Sequence, residues 1–226
     1  KAASDICCTS SNAVQVVESF PADRTILFVP DRNLARYAAE QSGRPYLTTS
    51  ELSRGDVTVP AGAIVAWDGY CYVHEDLVMD ELAQARAAHP EAKVVIHPEA
   101  RQELLDQADF VTSTSRMVQI AESHDALIIG TERGLVDRLK QRFPEKTLIP
   151  LSGAAICGNM KMNTLAKLAW SLDHLQHEIV LEESVRARAE DALRRMLELS
   201  GGWRAPTAAE AALEEAGVRP SGCGCA

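Results

Sequence analysis

The sequence lacks both a long hydrophobic segment and a signal peptide. Its longest apolar runs, residues 61–67 and 126–129, are far shorter than the roughly 20 residues that a membrane-spanning helix needs. The pattern of a secretory leader does not open the chain. We therefore expect no membrane partner and a cytoplasmic location.

The sequence also lacks any cluster of basic residues. Lys and Arg number 23 against 32 Asp and Glu, which gives a formal net charge of −9. Nucleic acids and anionic membrane surfaces attract concentrated positive charge, so this composition argues against both as main partners. A small anionic molecule remains compatible with the sequence where the positive groups are local.

Cysteine is too sparse for a disulfide framework. Six cysteines are scattered through 226 residues, of which 46% are hydrophobic, enough for a substantial core. Small secreted domains place their cysteines far more densely, so burial, catalysis or metal binding explains these residues better. The chain has no initiator methionine and begins at Lys1 in what reads as the middle of a structured unit, so we expect a fragment.

Two of the cysteines follow predicted strands. Cys71 comes after an apolar strand at residues 64–67 and a turn at Gly69, and Cys157 comes after another strand and a turn of small residues. Parallel α/β sheets gather their ligand-binding groups at the carboxyl ends of strands. One such cysteine is best read as a small buried hydrophobe, but two in the same setting favour a functional role.

The surroundings of these cysteines repeat along the chain. Residues 14–19 match residues 118–123 at four of six positions, and residues 30–34 match residues 131–135 in character. Each copy has a Thr/Ser cluster before its first helix and ends on a strand, a turn and a cysteine. The order of shared motifs indicates a duplicated α/β unit with a small parallel sheet. The first copy lacks its opening strand and helix, which is consistent with truncation before Lys1.

The repeat divides the chain into four parts. We predict a partial second α/β domain at residues 1–74, a third α/β domain at 75–160, C-terminal helices at 161–200 and a flexible tail at 201–226. Within the tail, Thr207 and Glu210 have the spacing of a helix capping box.

Local patterns add further expectations for secondary structure. Short apolar segments predict strands at residues 5–8 and 177–181. Helical spacing predicts a helix at 162–175 and a long helix with Ser184 as its cap. Residues 44–62 contain prolines, glycines and hydroxyl residues, so we expect an irregular excursion there.

Converging cysteines suit a zinc ion or an iron–sulfur cluster. Cys71 and Cys157 alone are too few for either, so symmetry suggests a third thiolate from a further repeat unit. Three thiolates on a four-iron cluster leave one iron open for a substrate oxygen.

Candidate acid–base groups lie near the same strand ends. His74, His97 and Glu99 have the side chains that transfer protons near neutral pH, although residues 97–99 equally fit the start of a helix. The hydroxyl clusters at 9–11 and 112–115 are helix caps by default. They would bind phosphate or carboxylate where those helix starts face the cysteines.

In chain order, these motifs resemble those of the quinolinate synthase family, and the match covers residues 1–200. The motifs that carry the resemblance are Thr9-Ser10-Ser11-Asn12-Ala13, Pro30-Asp31-x-Asn33-Leu34, Trp67-x-Gly69-x-Cys71-x-Val73-His74, His97-Pro98-Glu99, Ser113-Thr114, Gly130-Thr131-Glu132 and Cys157-x-Asn159-Met160.

The resemblance implies a fold and a reaction. The family is built from three-layer α/β/α domains with small parallel sheets around a pseudo-threefold axis, and the first domain is missing here. A four-iron four-sulfur (4Fe-4S) cluster lies in its central active site. Its enzymes condense iminoaspartate with dihydroxyacetone phosphate, lose phosphate and water, and release quinolinate for de novo NAD biosynthesis. The resemblance also implies a functional link to L-aspartate oxidase or aspartate dehydrogenase.

The resemblance also implies residue roles. Cys71 and Cys157 are matched to two of three cluster ligands, and Glu99 is matched to the acid–base carboxylate. His97 and His74 are matched to groups that assist proton transfer and hold substrate. The anion-binding hydroxyls are Ser10, Ser113 and Thr114.

The chain departs from the family pattern at its start. The family's first cluster cysteine and a Tyr-x-Asn motif fall before Lys1, so we expect this fragment not to catalyse alone. Two alternatives stay open, another iron–sulfur hydro-lyase and a redox or metal-sensing protein. The second would use the pairs Cys7/Cys8 and Cys223/Cys225, and neither pair has a clear cationic environment.

Overall fold

Short runs of β-branched and apolar residues form two parallel sheets in the computed structural model, which describes residues 1–55 and 57–202. The strands are β1 Ile26–Phe28, β2 Tyr46–Thr48, β3 Ile64–Ala66, β4 Lys93–Ile96, β5 Phe110–Val111, β6 Ala126–Gly130 and β7 Thr147–Pro150. The helices are α1 Ala13–Glu18, α2 Arg32–Ser42, α3 Thr49–Ser53, α4 Tyr72–Glu75, α5 Met79–Ala88, α6 Gln102–Leu105, α7 Thr114–Ser123, α8 Arg133–Arg142, α9 Gly158–Lys161, α10 Leu165–Asp173 and α11 Glu183–Leu199.

The chain divides into two compact units. The larger unit spans residues 8–181 and contains both sheets. The smaller unit joins Lys1–Cys7 to the chain from Glu182 onward, where the backbone N–H of Cys7 donates to the carbonyl of Ala192 in α11. No helix of the described residues is long and apolar enough to cross a membrane.

The sheet containing β4 to β7 has a three-layer arrangement. Its strand order is β5-β4-β6-β7 and all pairs are parallel. Side chains alternate across a strand, so Val94, Ile96 and Ile128 pack with α5 and α6, whereas Val95 and Leu127 pack with α7 and α8. Helices therefore cover both faces, which confirms the α/β class with small parallel sheets.

The other sheet preserves the repeat. Its order is β1-β3-β2, again all parallel. The strand that leads to Cys71 lies beside β1, just as the strand that leads to Cys157 lies beside β6. The two copies thus share the same strand order, and β2 is an addition on the far side of β3. The predicted boundary between residues 74 and 75 stays a prediction.

The segment 44–62 is more regular than predicted. It contains β2 and the helix α3, whose first turn is closed by a reciprocal capping box between Thr48 and Glu51. The strand Tyr46–Thr48 is only three residues long and directly follows Pro45, and it gains its regularity from pairing with the buried strand β3. The expectation of an irregular excursion is therefore wrong for residues 46–53.

Two predicted strands are wrong because they have no neighbouring strand to pair with. In the second copy, β5 pairs with β4, and the described residues of the first copy contain no strand equivalent to β4. Residues 5–8 accordingly form no strand. Residues 177–181 are solvent-exposed and form no strand, and His177 has a positive φ of 65°, outside the strand region.

The C-terminal helices match the prediction in part. α10 spans Leu165–Asp173, shorter than the predicted 162–175. α11 begins at Glu183, and its N-cap is Glu182, two residues before the predicted cap Ser184. Residues 203–226 of the predicted tail, with the capping box at Thr207 and Glu210, lie outside the described residues.

Candidate metal and acid–base site

Cys71 and Cys157 occupy equivalent positions in the two copies. Cys71 follows β3 and is the N-cap of α4, and Cys157 follows β7 and is the N-cap of α9. Each of these helices has four residues. Both thiols are free and half-buried. The predicted placement of the two cysteines beyond strand ends is confirmed.

A carboxylate holds each cysteine in place from the same position of the repeat. Asp31 caps α2 by accepting from Leu34 N at 2.8 Å, and its other oxygen accepts from Cys71 N at 2.8 Å. Glu132 caps α8 by accepting from Gly134 N at 2.7 Å, and its other oxygen accepts from Cys157 N at 3.4 Å. Each helix start is thereby tied to the cysteine turn of its own copy.

The backbone repeats the same connection. Arg32 N donates to the carbonyl of Gly69 at 2.8 Å, and Arg133 N donates to the carbonyl of Ala155 at 2.7 Å. In each pair, the acceptor lies two residues before the cysteine. The two cysteine turns are therefore built in the same way.

Tyr72 links the two cysteine turns to each other. Its hydroxyl accepts from Gly158 N at 2.8 Å and makes a further hydrogen bond with the Cys157 thiol. Hydrogen bonds from the backbone of Met160 and from Tyr72 lower the pKa of Cys157. These contacts favour a thiolate at this position.

His74, Glu99 and Thr131 form a hydrogen-bonded chain beside Cys71. His74 is buried, its Nδ1 lies 3.0 Å from Oε2 of Glu99, and its Nε2 lies 2.9 Å from Oγ1 of Thr131. The ring of His97 stacks on His74 with 4.3 Å between the centroids. The structure thus brings together all three residues that the sequence suggested for proton transfer.

The two histidines have opposite charge preferences. Burial disfavours the imidazolium of His74, but its hydrogen bonds to Cys71 and Glu99 outweigh that cost and raise the pKa of His74 to about 9. Burial and the neighbouring charge of His74 lower the pKa of His97 to about 4. Near neutral pH, His74 carries a proton on both nitrogens and His97 is neutral.

Glu99 is the anionic member of the group. Burial raises the pKa of its carboxyl, but the hydrogen bond from His74 and the charges of both histidines outweigh burial and lower it. Asn33, itself mostly buried, donates to the backbone carbonyl of Glu99 at 2.9 Å and to Glu75 at 2.7 Å. The backbone of Glu99 is thus anchored by Asn33, a side chain that Glu75 also holds in place.

One ligand atom from each of Cys71, His74 and Glu99 lies within 4.8 Å of the others. A thiol, an imidazole and a carboxylate at such distances could hold a metal ion. Among the described residues, Cys157 does not belong to this group. Cys157 belongs to the other cysteine turn, which the Tyr72 hydroxyl contacts through Gly158 N and the Cys157 thiol.

The hydroxyl clusters lie together in a separate cavity. Ser10 and Ser113 line a space of about 350 Å³. Ser113 is the N-cap of α7 but its side chain makes no capping hydrogen bond, and the N-cap of α1 is Asn12. Thr114 is the first residue of α7 and is not among the residues that line the cavity. The default interpretation of these hydroxyls as caps is therefore wrong for Ser10, whereas Ser113 occupies the cap position of α7 without a capping hydrogen bond from its side chain.

Sequence reasoning missed four residues of the site. They are Asp31, Tyr72, Thr131 and Glu132. The repeat carried a usable signal for two of them, because an acid occupies the same position in residues 30–34 and 131–135. Tyr72 and Thr131 act through contacts between the two copies, and their spacing along the chain gives no such signal.

The fold and this site define an α/β protein with duplicated thiol-bearing turns and an imidazole–carboxylate pair suited to metal-assisted proton transfer. A family described as "Quinolinate synthetase A protein" matches residues 1–198. The chain belongs to this family.

Curated relatives carry the name quinolinate synthase. One from Desulforudis audaxviator is 44% identical over 201 residues, covering 88% of this chain and 60% of the relative. One from Dehalococcoides mccartyi strain CBDB1 is 41% identical over 199 residues, covering 87% and 60%. One from Methanoregula boonei is 41% identical over 201 residues, covering 88% and 60%. The chain thus spans about 60% of the length of these relatives.

Proposed function

We propose that the chain contributes the second and third domains of a quinolinate synthase, which condenses iminoaspartate with dihydroxyacetone phosphate in de novo NAD biosynthesis. The carrying observation is the equivalent placement of Cys71 and Cys157, each held by a carboxylate at the same repeat position. The His74–Glu99 pair beside Cys71 adds the groups that a dehydrating condensation requires.

Glu99 is the proposed acid–base group. Its oxygen Oε2 accepts a hydrogen bond from protonated His74, whose Nδ1 lies 3.0 Å away. Protonated His74 stabilises the carboxylate form of Glu99, which is the form that removes a proton from substrate and the form that remains after Glu99 donates a proton. Thr131 fixes the orientation of the His74 ring through Nε2.

His97 has a different proposed role. Its low pKa keeps the ring neutral, and because Nδ1 accepts from Glu99 N at 3.3 Å, Nε2 carries the proton and can donate one hydrogen bond to substrate. Its stacking on His74 positions it on the same side of Glu99.

The thiols fit part of a 4Fe-4S ligand set. Cys71 and Cys157 are free, half-buried and fixed by backbone hydrogen bonds, and soft thiolates are the ligands that such a cluster takes. When bound, the cluster would supply an open iron as a Lewis acid that polarises a substrate oxygen. We propose that the third thiolate comes from outside this chain, since the relatives are longer.

The proposal extends to partners and location. The substrates would be iminoaspartate, supplied by L-aspartate oxidase or aspartate dehydrogenase, and dihydroxyacetone phosphate, in the cytoplasm. Ser10, Ser113 and Thr114 would bind carboxylate or phosphate groups of these substrates.

The test uses the full reading frame, expressed and purified without oxygen. Iron, acid-labile sulfide and zinc are measured beside quinolinate formation from dihydroxyacetone phosphate, L-aspartate and L-aspartate oxidase. We expect about four irons per chain, and loss of iron and product in Cys157→Ser but not in the matched variant Cys8→Ser. Zinc in place of iron, bound without need of Cys157, would contradict the cluster and favour a single ion at Cys71, His74 and Glu99.

A further inference from the structure

Glu99 lies in the turn between β4 and α6, outside regular secondary structure. Its backbone is therefore not fixed by the bonding pattern of a sheet or a helix. Two side chains bind it instead. Nδ1 of His97 accepts from the Glu99 N–H at 3.3 Å, and the side-chain amide of Asn33 donates to the Glu99 carbonyl at 2.9 Å. The position of the carboxylate thus depends on contacts made to its own peptide group.

Asn33 is held in one orientation. It is only 9% exposed, and its side-chain nitrogen donates twice, to the Glu99 carbonyl and to Oε2 of Glu75 at 2.7 Å. Both partners are acceptors, so only the NH2 end of the amide can serve them. Oε1 of Glu75 in turn accepts from Nη2 of Arg32 at 2.6 Å, which fixes that carboxylate. One amide proton of Asn33 is therefore always directed at Glu99.

This contact joins the two copies of the repeat, and the matching position of the second copy is built differently. Asn33 corresponds to Gly134, which has no side chain to donate. A Cβ on Gly134 would lie 2.6 Å from Oε2 of Glu132 and 2.6 Å from Nζ of Lys161, two residues that form an ion pair at 3.0 Å. Both helix starts therefore hold a cysteine, but only the start of α2 also reaches the acid–base turn.

We propose that Asn33 is the positioning residue of the acid–base group, because it holds the Glu99 turn so that the carboxylate stays against His74. The inference rests on the proposed function for the role of Glu99 in proton transfer. Asn33 acts on the backbone of Glu99 and takes no proton itself. Its loss therefore slows the chemical step and leaves the affinity for substrate nearly unchanged.

The first test is steady-state kinetics of the full-length enzyme, with iron content measured in each preparation. Asn33→Ala should lower kcat about 10- to 100-fold and change KM less than about threefold, since a misplacement of about 1 Å costs up to about 10²-fold in rate. Thr48→Ala removes the cap of α3 without touching Asn33 or Glu99, and should leave both parameters unchanged. An unchanged kcat in Asn33→Ala, or an equal fall in the two variants, would overturn the inference.

A pair of substitutions separates positioning from stability. Above neutral pH, Asn33→Asp introduces a carboxylate that donates to neither acceptor, so Tm and kcat should both fall. Adding Glu75→Gln supplies an NH2 group that donates to this carboxylate. The double variant regains the contact between α2 and α4 but not the hydrogen bond to Glu99, so we expect Tm to recover and kcat to stay low. Recovery of kcat together with Tm would show a merely structural role and reject the positioning.

NMR of the 226-residue chain with isotope-labelled histidine gives a readout that needs no activity. Nδ1 of His74 bonds Glu99, whereas Nε2 bonds Thr131. Asn33→Ala should shift the Nδ1 resonance more than the Nε2 resonance, and Thr48→Ala should shift neither. An unmoved Nδ1 resonance in a protein whose full-length form makes quinolinate would reject this inference and keep the proposed function. A shifted Nδ1 resonance where no quinolinate forms would support the positioning and reject the proposed function.

Discussion

Replacing Asp31 should disturb Cys71 and leave Cys157 unchanged. Asp31→Ala removes the N-cap of α2, which costs about 1 kcal/mol, and leaves the amide of Cys71 without its acceptor, which costs about 1–3 kcal/mol. The sum of about 2–4 kcal/mol corresponds to a fall in Tm of very roughly 5–15 °C for a chain of this size. Thr48→Ala removes the cap of α3 without touching the Asp31 hydrogen bonds, and should cost only about 1 kcal/mol.

Asp31→Asn separates the two functions of the carboxylate. The asparagine oxygen can still cap Leu34, but its NH2 group then faces the N–H of Cys71 and cannot accept from it. Burial raises the pKa of Asp31, so removing its charge is not in itself destabilising, and the variant reports the lost hydrogen bond.

The assay is the alkylation rate of each cysteine, read by mass spectrometry. A lost hydrogen bond of about 1.4 kcal/mol should increase the open population of the Cys71 turn, and its alkylation rate, about tenfold. Cys157 is the internal control, because Glu132 holds its amide independently. Glu132→Gln should show the reciprocal pattern. Unchanged alkylation of Cys71 in Asp31→Asn would refute the reasoning.

Three further predictions concern the Tyr72 hydroxyl that links the two cysteine turns, the proposed acid–base group Glu99, and the Asp109 carboxylate beside β4. Tyr72→Phe removes the hydroxyl that bonds Gly158 N and the Cys157 thiol, so we expect faster alkylation of Cys157 by thiol reagents with little change in secondary structure by circular dichroism. Glu99→Gln in the full-length enzyme should lower kcat about 10²–10⁴-fold at unchanged iron content; an equal loss of iron would show a ligand role instead. Burial opposes the charge of Asp109, but bonds from Val94 N and Lys93 outweigh it and lower its pKa, so Asp109→Asn should cost roughly 1 kcal/mol at pH 7. In urea titrations that cost should persist above pH 3.8, the ordinary value, and vanish as the pH falls through the lower pKa of the folded state.

Much of the fold could be predicted because local patterns decide it. The buried strands β3, β4 and β6 are apolar runs with clear boundaries, and the helix start at Asp31 and the stop at Gly43, which has a positive φ of 66°, have standard end signals. The repeat added the strand order, since matching motifs occupy matching places in both sheets.

The errors arose where pairing rather than propensity decides the structure. Residues 5–8 have an apolar pattern like that of a strand, yet a strand needs a neighbour. Residues 46–48 carry weak strand signals and form β2 because β3 offers an edge beside them. A single sequence shows which residues favour extended backbone and does not show which edge is open.

In the candidate site, too, local sequence signals identify some residues, and contacts between distant parts of the chain decide the others. Cys71, His74, His97, Glu99 and Cys157 could be found because each follows a strand end, where chain direction alone brings side chains to one edge. Their supports could not, because Thr131 reaches His74 from the second copy and Tyr72 reaches Cys157 from the first.

The supports also bear on why the duplication matters for function. Asp31 and Glu132 each use one carboxylate for two tasks, capping a helix and fixing a cysteine amide, so the position of each thiol is set by the rigid body of its own domain. A thiol held in this way does not depend on loop conformation, which would preorganise the proposed cluster site. The hydroxyl of Tyr72 adds a direct contact between the two turns, through Gly158 N and the Cys157 thiol. The spacing between Cys71 and Cys157 is therefore fixed by three contacts that a point mutation can remove one at a time.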